Sequence, residues 1–182
     1  CGNPDNNEAQ SWRDAAALGK GKFAAIDANR TVAINTPYDE QLAKLSAKLN
    51  ETYLAYGDRR AAYAANQEAQ DSNAAKMGTA VAAQRARAKA SGLYKTSRWD
   101  LVEAVEKESV KLEEVKSEEL PEEMQEMTTE EQKAFIEKKS QERRNIREQI
   151  NELGKKREEY VRKERQKMAE EQETSTFDKA MH

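Results

Sequence analysis

The sequence is poor in the residues that most often carry catalysis and metal binding. It has one cysteine, Cys1, and one histidine, His182, at opposite ends of its 182 residues. A single cysteine excludes a disulfide within the chain and leaves the redox compartment undecided. Nucleophilic catalysis needs a Cys or Ser poised beside a base, and no such motif is recognisable here. A glycine-rich phosphate loop and metal-ligand spacings are missing as well. We therefore expect neither an enzyme nor a bound metal or cofactor.

Large apolar side chains are also scarce. The chain has three Phe, two Trp and six Tyr, and its hydrophobic fraction of 37% is matched by a charged fraction of 36%. Alanine supplies much of the hydrophobic count, so the apolar area buried per residue should be small. No apolar run approaches the length needed to cross a bilayer. This composition predicts a mainly α protein of extended helical shape.

The charges are nearly balanced, with 31 basic and 34 acidic residues and a net charge of −3. This balance argues against an electrostatic footprint for nucleic acid. The most basic part is an alanine-rich stretch, residues 58–96, which we interpret as a helical linker with a solvated face. A patch for nucleic acid or an anionic surface is the alternative, although no aromatic side chains are interleaved with the cations. The cations concerned are Arg59, Arg60, Arg85, Arg87 and Lys89.

The clearest local pattern is the run TPYD at residues 36–39. Thr36 can cap a helix, Pro37 suits the first helical position, and Asp39 stands where a capping box has its acid. Apolar residues then recur at three- and four-residue intervals, so they share one stripe of the helix. One face of this helix therefore needs a partner. The stripe consists of Leu42, Leu45, Leu49 and Tyr53.

The segment before this helix predicts a helix and then a β-hairpin. The helix passes through Trp12, Ala16 and Leu18 and ends at Gly19. Four apolar residues then frame the turn-forming run Asp27-Ala28-Asn29, which is typical of a short hairpin. Together these elements look like the end of an α/β domain whose main sheet lies elsewhere. The apolar residues of the hairpin are Phe23, Ile26, Val32 and Ile34.

The chain resembles the closing part of the von Willebrand factor type A domain in a group of bacterial proteins. The resemblance lies in the runs CGN, SWRDAAALGKGKFAAID and VAINTPYDEQLAKLSAKLNETYLAYGD. Later runs resemble the C-terminal extension of those proteins: DSNAAKMGTAVAAQRARAKASGLYKTSRWDLVEAV, ELPEEM and the charged helix from Thr129. The resemblance implies that residues 1–57 are the terminal elements of an A-type domain, followed by an extended helical arm. It also implies an extracytoplasmic or periplasmic location.

Function in that family is associated with a metal-ion-dependent adhesion site built on a DxSxS motif, which this chain lacks. Neither DSNAA at Asp71 nor TSTFD near the end has the required spacing. The resemblance therefore implies a non-catalytic interaction or structural module, the C-terminal part of an adhesion-type protein without its metal site. Its expected partner is another protein or the missing part of its own A-type domain.

Cys1 has two interpretations. It is either an internal residue of a longer parent, which the resemblance favours, or the acylated anchor of a bacterial lipoprotein with a helical spacer. A membrane partner is expected only in the second case.

Residues 97–174 form the predicted helical extension. The run Ser97-Arg98-Trp99-Asp100 predicts a second capping box that opens a short helix. Four neighbouring apolar residues form either a small satellite core or an exposed patch that binds a partner. These are Leu93, Tyr94, Trp99 and Val102.

The last predicted helix is capped by Thr128 or Thr129, and Glu131 stands three residues after Thr128, as in a capping box. The helix runs from there to about residue 173, a length of roughly 65 Å. Its apolar stripe is thin, because Arg157 occupies a stripe position and Gly154 lowers the helix propensity. Three arrangements stay open: a solitary charged helix, an antiparallel hairpin with another helix of the chain, and a coiled-coil dimer. We expect residues 175–182 to be disordered. The stripe consists of Ile146, Ile150, Leu153 and Tyr160.

Overall fold

The structure is a computed structural model that describes residues 7–19 and 34–180, the side chains of residues 7–9 and 171–180 excepted. It divides into two compact units, Cys1–Ala33 and Ile34–His182, which are described separately. In the first unit, helix α1 spans Asn7–Leu18, as the sequence predicts. Gly19 follows it, and the Gly19 amide donates to the Ala15 carbonyl at 3.0 Å.

The mainly α class is confirmed. In the part of the chain that the structure describes, the only β-type pairing is an isolated antiparallel bridge between Ala55 and Asp100. The predicted β-hairpin occupies residues 23–34, and all of it except Ile34 lies outside the described residues.

The second unit consists of five α-helices and three short 3-10 helices within its described residues. The α-helices are α2 (Asp39–Asn50), α3 (Arg60–Lys76), α4 (Thr79–Ala90), α5 (Leu101–Glu106) and α6 (Thr129–Ala180). The 3-10 helices are Leu112–Glu114, Ser117–Glu119 and Glu122–Met124, and they lead from α5 into α6.

Helix α6 is longer than the sequence predicts. Its 52 residues extend over about 78 Å. It begins with the predicted capping box, since Thr128 Oγ1 and the Thr128 amide donate to Glu131 Oε2 at 2.9 and 2.8 Å. Residues 175–180, which we expected to be disordered, continue the helix, and no proline or glycine stands among them to end it.

The other two predicted capping boxes have different outcomes. At α2 the predicted Thr36–Asp39 pair forms: the Thr36 amide donates to Asp39 Oδ2 at 3.0 Å, and Thr36 Oγ1 donates to Asp39 Oδ1 at 2.7 Å. The helix itself begins later than predicted, at Asp39 with Tyr38 as its N-cap, so Pro37 lies in the turn before it. At α5 the predicted box at Ser97 is wrong. Asp100 itself caps the helix, because its Oδ2 accepts from the Glu103 amide at 3.1 Å.

Residues 58–96, predicted as a linker, fold into a helical hairpin that belongs to the core. Gly78, at φ 119°, separates α3 from α4, and a residue with a Cβ would be strained there. Apart from Lys89, the buried residues of α4 are alanines, so α4 can approach α2 and α6 closely. Those facing the apolar core are Ala83, Ala86 and Ala90.

Two apolar clusters hold the second unit together, and α6 contributes to both. In the first, the leucine stripe of α2 meets the alanines of α4 and Ile150 of α6. In the second, α5 and the 3-10 segment pack against Ile136 of α6. The face of α2 that needs a partner is therefore covered by helices from later in the same chain. Residues 34–57, which the resemblance assigns to an A-type domain, are packed here with the helical extension.

Candidate functional site

The buried side of α6 is a seam with a seven-residue spacing. Ile136, Arg143, Ile150 and Arg157 succeed one another at this interval, and each is at most 5% exposed. Seven residues are close to two helical turns, so these side chains share one face. Two of the four are arginines at positions that usually hold apolar residues. Each of these arginines requires a buried anionic partner.

Arg143 meets Asp100, the capping residue of α5. Its Nη1 donates to Asp100 Oδ2 at 2.5 Å and its Nη2 donates to Asp100 Oδ1 at 2.9 Å. The guanidinium also reaches the segment after α2, where its Nε donates to Thr52 Oγ1 at 3.1 Å. Its central carbon lies 4.7 Å from the centroid of the Tyr53 ring. This bidentate, stacked geometry suits arginine and would not be reproduced by lysine.

Asp100 is the point at which three elements meet. Besides Arg143, its carboxylate accepts from the Leu54 amide at 3.0 Å and from Thr96 Oγ1 at 3.2 Å. Together with the Glu103 amide at the start of α5, these donors satisfy a carboxylate that is fully buried. The arrangement fixes α6 and α5 to the chain that leaves α2.

Arg157 makes the second ion pair of the seam. Its Nε donates to Asp39 Oδ1 at 2.8 Å, and Asp39 is only 1% exposed. Burial alone would raise the pKa of Asp39, but the hydrogen bonds from Thr36 and Arg157 outweigh it and hold that pKa below its ordinary value. The capping acid of α2 is thus also the anchor for α6.

A third polar junction joins α2, α3 and α4. Lys89 is fully buried, and its Nζ donates to Asp71 Oδ2 at 2.5 Å and to Asn50 Oδ1 at 2.7 Å. Arg85 Nε donates to Asp71 Oδ1 at 2.6 Å. Burial alone would raise the pKa of Asp71, yet the bonds from Lys89, Asn50 and Arg85 lower it. This junction uses two of the cations that the sequence presents as a basic patch.

Arg87, a third of those cations, lies across α6, with 35% of its side chain exposed. It forms an ion pair with Glu158. Gly154 leaves the room for it, because a Cβ built on Gly154 would come within 2.7 Å of Arg87 Nε. The glycine that weakens the helix in the sequence therefore marks a crossing point between α4 and α6.

The predicted patch before α5 is mainly a small internal core. Val102 is fully buried, and the Trp99 ring lies 5.3 Å from that of Tyr53 and 6.4 Å from that of Tyr63. Tyr94 donates from its hydroxyl to Gln67 Oε1 at 2.5 Å. Leu93 does not join this core, since it is 88% exposed.

The predicted stripe of α6 is used within the chain. Ile150 is fully buried, while Ile146 and Leu153 are half-buried and pack against the first cluster. Tyr160 is half-buried near the end of the packed part. Of the three arrangements left open, packing against helices of the same chain describes this part of α6, with α2 and α4 as the main partners. Cys1, the possible lipid anchor, lies outside the described residues.

Sequence reasoning missed the buried charges. It predicted no buried acid, whereas Asp39, Asp100 and Glu103 are buried and hydrogen-bonded. A usable signal was present: Arg143 and Arg157 alternate with Ile136 and Ile150 at the same seven-residue interval. Arginines in phase with a seam indicate buried acids in the elements opposite.

A groove lies between α6 and the chain that leaves α5, with a volume of about 430 Å³. Apolar side chains form its base, and glutamates dominate its rim. Unlike the seam, it is open to solvent. The base consists of Val105, Val110, Leu112 and Ile136.

The described residues show neither a membrane-spanning helix nor a cluster of metal ligands. Among residues 7–19 and 34–180, no helix is both long and apolar enough to span a membrane. Within the same residues, no three His, Cys, Asp or Glu side chains cluster as metal ligands would. Comparison with protein-family models, with curated proteins and with solved structures gave no match.

Proposed function

We propose that the chain is a non-catalytic protein-interaction module in which a helical body holds one end of α6 and leaves the other end open to a partner. The observation that carries this proposal is the contrast along α6. From Ile136 to Arg157 the helix is held at both arginines of its seam by buried acids. From residue 162 to residue 170 every side chain except Glu164 is exposed.

The exposed stretch has the composition of a recognition surface rather than of a core. We call residues 161–170 the arm. It carries four cations and two acids, together with Met168, which is 42% exposed. A long helix that is rigidly anchored at one end presents such side chains at a fixed distance from the body. Little conformational entropy is then lost when a partner binds.

Site-specific photocrosslinking in the cells that produce the chain tests this proposal. A photoreactive amino acid at Lys163 or Arg165 should give a discrete covalent product, identified by mass spectrometry. The matched control places the same amino acid at Lys76, an exposed position on α3. Products that are the same from arm and control positions, or no product from the arm, would overturn the proposal.

The resemblance supports a narrower proposal, that the module is the C-terminal part of an adhesion-type von Willebrand factor A protein. What supports it is the order of the quoted runs along the chain. The intact mass and N-terminal sequence of the natural product test it. A larger product with a DxSxS motif after an upstream apolar strand is expected. A mature chain that begins at an acylated Cys1 would contradict it and would support the lipoprotein with a helical spacer.

A further inference from the structure

The groove between α5 and α6 has the chemistry of a site for a cationic helix. Its apolar base is flanked by Glu106, Glu108, Glu113 and Glu137, with Lys111 and Lys133, a formal charge of −2. Arg144, which stands beside the groove, pairs with Glu106 and Glu137, so the net charge of this surface is −1. Lys133 is paired with Glu113 at 2.6 Å, and Lys111 with Glu114 at 3.0 Å. A partner segment that offers one or two apolar side chains among several cations would complement this lining.

The arm of α6 has this composition. Val161 and Met168 are seven residues apart and therefore share one face of the helix. Around them stand Arg162, Lys163, Arg165 and Lys167 against Glu164 and Glu170, a formal charge of +2. The charge of the arm is therefore opposite in sign to that of the groove. Both surfaces are therefore present in one chain.

We propose that the groove binds the arm of a second copy of this chain. The arm cannot reach the groove of its own chain, because Ile136 and Arg165 lie about 44 Å apart along one continuous helix. Two copies with antiparallel α6 helices fill both grooves at once under a two-fold axis, which closes the assembly. Two such contacts are also needed to approach the total area of about 1,200 Å² that stable interfaces bury.

Charge reversal combined with sedimentation velocity tests the inference on the full chain. The groove variant carries Glu108→Lys and Glu137→Lys, and the arm variant carries Arg162→Glu and Arg165→Glu. The control variant carries Lys48→Glu and Lys76→Glu, two charge reversals at other exposed positions. Circular dichroism verifies that each variant keeps its helix content.

The unmodified chain should dimerise as its concentration rises, and added salt should weaken the dimer. The groove and arm variants should each raise the dissociation constant by roughly tenfold or more. The chain that carries all four groove and arm substitutions should regain the dimer, because the two surfaces again have opposite charge. The control variant should dimerise as the unmodified chain does.

A chain that stays monomeric at every concentration would overturn the inference, as would variants that dimerise unchanged. The inference rests on the proposed interaction module, because it names the partner of the arm. Different results would contradict the dimer and the interaction module. A monomer whose arm still crosslinks to a different protein contradicts only the dimer, whereas an arm that gives no product contradicts the module itself.

Discussion

Arg143 and Arg157 stand where a helical seam usually carries apolar side chains. At the scale of single residues, these two buried arginines determine how α6 packs. A buried ion pair is seldom more stabilising than well-packed apolar residues would be, but it is costly to break. It also fixes the register of α6, because each arginine has a single acid opposite it. We infer that the pairs specify where α6 docks more than they increase its stability.

The first prediction concerns Arg143→Met. The substitution leaves Asp100 fully buried without its cation, so the free energy of unfolding should fall by about 3–5 kcal/mol. Arg144→Met is the matched control, since Arg144 pairs on the surface with Glu106 and Glu137 and should matter by less than about 1 kcal/mol. Urea unfolding of both variants measures the difference. Equal losses for the two variants would contradict the importance of the buried pair.

The second prediction concerns acid. The pKa of Glu103 has an ordinary value of 4.5. Burial alone would raise it, but hydrogen bonds from Lys107 and Thr96 lower it to about 2. The pKa values of Asp39 and Asp71 are also lowered. Between the ordinary and lowered values the unfolded chain binds more protons than the folded one. The stability that these lowered pKa values contribute is therefore fully present above about pH 4.5 and is lost as the pH falls toward about 2.

The variant Glu103→Gln isolates the contribution of the Glu103 carboxylate to the pH-dependent free energy of unfolding. The difference between 4.5 and about 2 corresponds to about 3 kcal/mol. The variant should be less stable than the unmodified chain at neutral pH, and its free energy of unfolding should fall less steeply with acid. Glu118→Gln, at an exposed position, should leave the slope unchanged. If all three proteins lose stability in parallel, Glu103 does not have this role.

Residue-level burial was the part that the sequence predicted least well. Leu42, Leu49 and Ile150 are buried as their periodicity indicates, since apolar spacing reports directly on a buried face. Asp100 was predicted only as the last residue of a capping box that begins at Ser97. Its burial depends on Arg143, which is 43 residues away in the sequence, and no local pattern reports a contact at that separation.

At the scale of elements, the ends of the helices are set by local chemistry. The boxes at Thr36 and Thr128 could be predicted because each involves only four consecutive residues. The cap of α5 could not be predicted in the same way, because two acids, Asp100 and Glu103, compete for the role of cap. Asp100 acts as the cap, and Glu103 reaches back to Thr96, whose Oγ1 donates to it at 2.6 Å.

The end of α5 gives the third prediction. Glu108 has φ 52°, and it follows α5 in a turn where the Ser109 amide donates to the Ala104 carbonyl at 2.9 Å. This position of the turn favours glycine. Glu108→Gly should therefore raise the free energy of unfolding by about 1 kcal/mol.

Glu108→Ala is the control for this prediction, since it also removes the carboxylate but keeps the Cβ. Glu108→Ala should raise the free energy of unfolding little or not at all. Thermal and urea unfolding of both variants, at a concentration where the chain is monomeric, measures the effect. A gain from alanine as large as that from glycine would mean that charge, and not backbone strain, limits stability at this turn.

At the scale of the whole molecule, the described part of Ile34–His182 is organised along α6. The sequence indicated a mainly α protein with a long charged helix, because helix propensity and the absence of breakers are local properties. It did not indicate that residues 58–96 belong to the core. Alanines such as Ala83 and Ala86 carry little apolar volume, so their burial against α2 and α6 follows from the shape of the neighbouring helices and not from their own hydrophobicity.

Hydrogen exchange along α6, measured at a concentration where the chain is monomeric, tests most directly whether this helix is an anchored element with a free end. We expect the amides from Ile136 to Arg157 to exchange slowly, near the limit set by global unfolding. Amides of the arm should exchange much faster, and Arg143→Met should speed exchange in the anchored part. Uniformly fast exchange along α6, or an arm as protected as the anchored part, would contradict this view of the protein.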